Sequence, residues 1–280
     1  MTTPLVWAHR GAPLGLGTTL PPENSLAAFR RAVESGADAL EFDLHLTRDG
    51  HFVVFHDLLA DHPSLGPTPV PELTLGQIKE IRLGDSEEKV PTFKEVVECF
   101  RDSGHLLIPE LKTPDEARRR GLDPVTVFCR DVERLKVSQR VVVQCFHAST
   151  LDELRARKPE LELLALYRHD QLVNLDEIPG RAEYLGLPML GVFFFGGKLV
   201  EKAHSRGTKV VPWRDMAISE NKEVFDRLAE FGVHAVMVDD ADQALIHYQR
   251  RPAPPDFKSM ERSLLFSETP AESRRCRKPV

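Results

Sequence analysis

Short runs rich in β-branched and apolar residues alternate with helical patterns along almost the whole chain. That alternation dictates a parallel sheet, because neighbouring parallel strands can be joined only through a long crossover, which a helix fills. The candidate strands are residues 5–9, 38–44, 105–112, 140–146, 162–167, 183–187, 208–213 and 234–238. Eight of them predict an α/β fold in the form of a closed (β/α)8 (TIM) barrel. An open doubly wound sheet generates the same alternation, but it carries a glycine-rich phosphate fingerprint after its first strand. Gly11, Gly15 and Gly17 lack that spacing. A further run, 52–56, follows the turn signal Arg48-Asp49-Gly50 and reads as an extra hairpin strand.

The intervening helices carry their own signals. Leu26, Phe29 and Val33 recur at helical spacing and end at Gly36, a C-cap residue. Thr92-x-x-Glu95 and Ser149-x-x-Asp152 have the form of capping boxes. Helical patterns over 196–206, 219–231 and 240–249 complete the alternation. Two segments fall outside it. Residues 57–91, rich in Pro and Gly, read as an insertion within a barrel that spans 1–250. Residues 251–280, with Pro252, Pro254, Pro255 and a basic end at Arg274, Arg275, Arg277 and Lys278, read as a C-terminal extension. A 280-residue chain that is 41% apolar can bury one large core of this size.

A net charge of −6, with no long basic run before the last few positions, argues against a nucleic-acid groove and leaves a small anionic substrate held at one local site. No stretch reaches the ~18 apolar residues of a membrane span, and the first residues do not form a signal peptide. Cys99, Cys129, Cys145 and Cys276 form no Cys-x-x-Cys pair. These features together predict a cytoplasmic chain without a transmembrane segment, peripheral lipid contact remaining open.

Candidate chemistry lies at the ends of the first three barrel strands, where barrel enzymes gather their sites. His9-Arg10 closes the first. In the second, the two-residue period puts Ala39, Glu41 and Asp43 on one face and Leu40, Phe42 and Leu44 on the other. The apolar face should meet the helices, so two carboxylates point into the barrel, which is costly unless a cation or basic partners neutralise them. Glu110 and Lys112 share a face of the third strand. Three converging carboxylates make a hard oxygen site suited to Mg²⁺ or Ca²⁺, and the absence of a nearby His-Cys cluster argues against structural zinc. His45, His51, His62 and His105 read as ordinary structural or surface histidines, and Trp213 by default as a packing residue.

These residues also carry a resemblance. His9-Arg10-Gly11, Pro22-Glu23-Asn24-Ser25 with Ala28-Phe29, Gly36-Ala37-Asp38 leading to Glu41-x-Asp43, Thr47-x-Asp49-Gly50 and Val53-Val54-Phe55-His56-Asp57 resemble the signature of the glycerophosphodiester phosphodiesterase family. Val90-Pro91-Thr92, Glu110-Leu111-Lys112 and Val210-Val211-Pro212-Trp213 continue it more loosely. The resemblance implies a (β/α)8 barrel with a small insertion after the His56 segment, a divalent cation, and cleavage of glycerophosphodiesters to an alcohol and glycerol 3-phosphate. It makes Glu41, Asp43 and Glu110 metal ligands with Glu23 close by, His9 and His56 the acid/base pair, and Arg10, Lys112 and Trp213 substrate or phosphate contacts. One histidine then takes the proton of a glycerol hydroxyl that attacks phosphorus, and the other protonates the departing alcohol. Water opens the cyclic phosphate with the roles reversed.

Arg214-Asp215-Met216 departs from the Thr-Val-Asn-like sequence of many relatives, which bears on the pocket wall. Phe193-Phe194-Phe195 reads mainly as packing; lining the mouth, it would favour an acyl chain. Two other readings fit the same residues. One is a lysophospholipase D-like hydrolase of lysophospholipids, and the other is a catalytically inactive barrel that acts as a binding protein.

Overall fold

A computed structural model describes residues 3–17, 19–171, 173 and 181–250; the expected C-terminal extension lies outside the described residues. The strands are β1 (Leu5–Ala8), β2 (Ala39–Leu46), β3 (Phe52–Val54), β4 (Leu59–His62), β5 (Gly66–Pro69), β6 (Leu106–Leu111), β7 (Val142–Cys145), β8 (Glu162–Leu166), β9 (Tyr184–Pro188), β10 (Lys209–Trp213) and β11 (Ala235–Val238). The helices are α1 (Leu26–Ser35), α2 (Leu75–Ile78), α3 (Phe93–Cys99), α4 (Pro114–Arg119), α5 (Pro124–Leu135), α6 (Ala148–Arg157), α7 (Met189–Phe195), α8 (Gly197–His204), α9 (Lys222–Phe231) and α10 (Ala241–His247). Parallel pairing runs β1-β2-β6-β7-β8-β9-β10-β11, and β11 returns to β1, so the sheet closes into the predicted barrel. β3 adds to β2 antiparallel, as the extra hairpin strand.

The two-residue period sorts side chains into two cores. Leu40, Phe42 and Leu44 face outward and meet Phe29, Phe93 and Phe128 from the surrounding helices. Phe93 stacks on Phe128 with ring centroids 5.6 Å apart, and Phe42 packs against both Phe29 and Phe93. Each such side chain contributes about 1.5–3 kcal/mol by leaving water. Trp7, Ala39, Ile108, Val142, Leu164, Val211 and Met237 face inward and fill the barrel. Gly186 belongs to that interior layer: a Cβ there would lie 2.6 Å from the Cδ2 atoms of both Leu164 and Leu166. The missing side chain leaves room for two leucines of the neighbouring strand β8.

Helix ends mostly follow the local chemistry. The Ser25 side chain accepts from the Ala28 amide at 3.0 Å to open α1, and Gly36, at φ 97°, closes it. The Thr92–Glu95 capping box forms. The Ser149–Asp152 box does not, because α6 already begins at Ala148 with His147 in the N-cap position, leaving Ser149 inside the helix. α7 corrects the packing expectation for the three phenylalanines. Phe193 does pack on Phe231 at 5.9 Å. α7 buries only the stripe carrying Met189 and Val192, so Phe194 is left 83% exposed and Phe195 49%.

Residues 57–91 form the insertion between β3 and α3. It comprises the β4–β5 hairpin, a tight turn over Val70–Glu72, and α2, opened by a Thr74–Gln77 capping box. Ala60, Val70, Leu73 and Ile78 pack there with Val53 and Val90 into a separate apolar cluster that also takes in Phe55. The residue after Phe55 is His56, so this cluster anchors one of the candidate site residues from outside the barrel.

Candidate active site

At the C-terminal rim the inward-facing layer changes from apolar to polar. Glu41, Asp43 and Glu110 bring oxygens within 4.8 Å of one another, and all three residues are buried. Burial pushes the Glu41 carboxyl up to about 7, against the pull of His9. It pushes Glu110 up to about 7 as well, against Lys112. Burial opposes the charge on Asp43 too, but Lys112 and Arg10 hold it at about 2. Three buried carboxylates this close repel one another unless a cation sits among them, and an all-oxygen donor set fits a hard divalent ion.

Each carboxylate is fixed by a neighbour. Asn24, in the left-handed conformation at φ 59°, donates from Nδ2 to Asp43 Oδ2 at 2.9 Å. The Arg10 amide donates to Glu41 Oε2 at 2.8 Å, and Gln144 Nε2 donates to Glu41 Oε1 at 2.6 Å. Lys112 Nζ lies 3.2 Å from Glu110 Oε1 and 3.5 Å from Asp43 Oδ1. Arg10 spans the cluster and Glu23, with Nε 3.4 Å from Asp43 and Nη1 3.2 Å from Glu23. Glu23 thus sits on Arg10, outside the three-carboxylate group.

The two candidate histidines have different supports. His9 follows β1, and its Nδ1 lies 2.6 Å from Asp239 Oδ1, while Nε2 faces the cluster 4.0 Å from Glu41 Oε2. Burial disfavours its cation, but Glu41 and Asp239 outweigh that and raise its pKa. Asp239 is itself held. Glu220 accepts from the amides of Asp239 and Asp240, both at 2.8 Å, and Arg214 Nε lies 3.4 Å from Asp239 Oδ2. Burial, then the charge of Asp239, pushes Glu220 up to about 8. His56, after β3, has Nδ1 at 2.8 Å from Asp57 Oδ1. Its backbone carbonyl accepts from buried His45 Nε2 at 3.2 Å, while His45 Nδ1 meets the Thr113 hydroxyl at 3.1 Å. Burial pushes His45 down to about 4, so it stays neutral and makes both bonds.

A cavity of about 170 Å³ joins these groups: His9, Arg10, Glu41, His56, Glu110 and Lys112 line its floor, and Phe146, Leu166 and Trp213 its wall. Phe146 and Trp213 meet edge to face at 6.2 Å. Trp213 is therefore a wall of the cavity as well as a packing residue. Where the chain departs from its resemblance, Arg214 backs Asp239 and Asp215 accepts from the amides of Leu190 and Ala217 at 2.9 and 2.8 Å. The divergent segment thus ties α7 to the loop after β10. A larger open groove of about 660 Å³, between the turn at Asp49–His51 and α3 and α5, contains none of the buried carboxylates.

Sequence reasoning singled out neither Gln144 nor Asp239, and assigned no role to Asn24. The signal for the first two is the inward register: Val142 and Gln144 share a face, and Ala235, Met237 and Asp239 continue one alternation past the end of β11. A polar residue at an inward position next to the rim marks the site.

Residues 9–243 match the glycerophosphoryl diester phosphodiesterase family. The chain is 31% identical over 88% of its length to a glycerophosphodiester phosphodiesterase of Caldanaerobacter subterraneus, covering 98% of that protein. It is 26% identical to one from Bacillus altitudinis, over 86% of this chain and 96% of that one. A phosphodiesterase of Oleispira antarctica, solved in complex with the product sn-glycerol-3-phosphate, has a similar fold at a TM-score of 0.70, with 22% identity over 89% of this chain and 98% of that one.

Proposed function

The chain belongs to the glycerophosphoryl diester phosphodiesterase family, and on that premise we propose that it hydrolyses glycerophosphodiesters, such as glycerophosphocholine or glycerophosphoethanolamine, to an alcohol and glycerol 3-phosphate. The observation that carries this reading is the buried triad Glu41, Asp43 and Glu110, of which Glu41 and Glu110 line one cavity with His9 and His56. The three carboxylates are the ligands of a divalent cation, Mg²⁺ or Ca²⁺, given their oxygen-only donor set. Such an ion supplies charge neutralisation at a phosphoryl oxygen and acidifies a hydroxyl.

The side chains divide the remaining work. Arg10 and Lys112, already drawn to the carboxylates, bring positive charge to the substrate phosphate. His9 and His56 manage protons at the two oxygens that exchange at phosphorus, since both line the cavity. His9 is the more enclosed of the two, and Asp239 takes its Nδ1 and leaves Nε2 facing the cluster. Asp239→Asn is expected to lower kcat by about 10–100-fold with little change in KM, as loss of an orienting carboxylate does; a change confined to KM speaks against this role. Phe194 and Phe195 do not line the cavity, so they do not support an acyl-chain substrate. Widely spaced cysteines, with Cys99, Cys129 and Cys145 unpaired, support a reducing cytoplasm as its location.

The direct test is release of glycerol 3-phosphate from glycerophosphoethanolamine by metal-stripped protein, before and after adding Mg²⁺ or Ca²⁺. Release restored by the ion is the expected result. Silence with either ion, on this diester and on glycerophosphocholine, overturns the reading.

A further inference from the structure

The floor of the cavity is built for a phosphate and an ion, whereas its outer wall has a different character. The loop after β8 carries Arg168, whose guanidinium carbon lies over the ring of Phe146, 4.6 Å from the centroid. Phe146 is a cavity wall, and the cation stacked on it is one residue removed from the cavity lining. Arg10, Lys112 and Arg214 are all engaged by carboxylates. Among the described residues Arg168 has no carboxylate within ion-pair distance; its backbone amide donates to Gln171, and its side chain is exposed.

A second donor belongs to a ring packed against Phe146. The indole Nε1 of Trp213 is buried without a hydrogen-bond partner, and its ring touches Phe146 and His169. A buried N–H left without an acceptor is costly, so this position fits a ligand oxygen. Among the described residues the only carboxylates lining the cavity are Glu41 and Glu110. A volume of about 170 Å³ is well short of the ~300–1,000 Å³ that encloses a drug-sized ligand. One half of a diester fills it beside the metal site, and the other half extends over the wall toward Arg168.

From these observations, and resting on the hydrolase reading above, we infer that Arg168, with the Trp213 indole, selects diesters whose outer half carries an anionic, oxygen-rich group. A pocket for a quaternary ammonium presents open aromatic faces. Here one face of Phe146 is already covered by a guanidinium, which repels a second cation. A planar guanidinium held against a ring is instead pre-organised for a carboxylate or a phosphate.

Glycerophosphoserine and glycerophosphoethanolamine differ by a single carboxylate and so isolate this contribution. The metal-loaded full-length protein is expected to turn over the serine diester with a kcat/KM about two- to fivefold higher, the range for an exposed ion pair. Arg168→Gln is expected to bring the ratio to about one, and Arg168→Glu to place it below one. A wild-type ratio of one or less overturns the inference, as does a preference that survives in both variants. Failure to cleave either diester overturns the hydrolase reading itself, so the two failures are distinct.

Discussion

His9→Ala and His56→Ala are each expected to lower kcat by about 10²–10⁴-fold, the range for removing a positioned proton carrier. Both rings line the cavity with Glu41 and Glu110 of the carboxylate triad, and each has its Nδ1 occupied by an aspartate, Asp239 for His9 and Asp57 for His56. That leaves Nε2 of each ring for exchange with substrate. The double variant is expected to fall well short of the product of the two losses, since both groups serve one reaction. Stability separates the two. His56 is partly exposed, so its loss should leave the melting temperature nearly unchanged. Losing His9 takes from Asp239 the nearer of its two partners, leaving Arg214, in a largely enclosed position and is expected to cost about 1–3 kcal/mol. Initial rates of glycerol 3-phosphate release and thermal melts of each variant check both statements; near-wild-type turnover by both single variants would remove the histidines from the mechanism.

Stripping the divalent ion is expected to abolish turnover and to leave a protein that weakens as pH rises. In the metal-free fold Glu41 and Glu110 keep their protons to about pH 7, while the unfolded chain releases them near 4.5. Between those values the folded state binds more protons than the unfolded state, so stability falls with increasing pH. Each group contributes up to about 3 kcal/mol to that fall. Asp43 acts in the opposite sense, since its depressed pKa stabilises above the unfolded value of 3.8 and is lost only as pH falls toward 2. A bound cation removes the penalty by pairing with the ionised carboxylates. The rise in melting temperature on adding Mg²⁺ or Ca²⁺ should therefore be larger at pH 8 than at pH 5. An equal rise at both values would contradict the assignment of these carboxylates as ligands.

The barrel and the triad were legible because period-two alternation is a local signal. Leu40, Phe42 and Leu44 on one face leave Glu41 and Asp43 on the other, and the structure keeps that division. Strand ends could be read to within two residues at β2 and to within one at β9, since side-chain patterns blur where pairing stops. Contacts between distant segments were not legible. Asp239 reaches His9 across 230 positions and Gln144 reaches Glu41 across 103, and only closure of the barrel brings either pair together. The capping box at Ser149 misled because a favourable local pattern competes with the shortest route from strand to helix, and the strand-to-helix route won. Phe194 and Phe195 misled in the opposite way: apolar character alone does not say which side of a short helix is covered.

His9 and His56 stand on different foundations. His9 directly follows β1 of the closed sheet, whereas His56 is carried by β3 and the apolar cluster that Val53 and Phe55 share with Leu73 and Ile78. Of the barrel strands β3 pairs with β2 alone, so drift in the cluster it shares can shift one histidine while the other stays fixed. Substitutions within that cluster are therefore a way to displace His56 without touching the three carboxylates, which are carried by other strands.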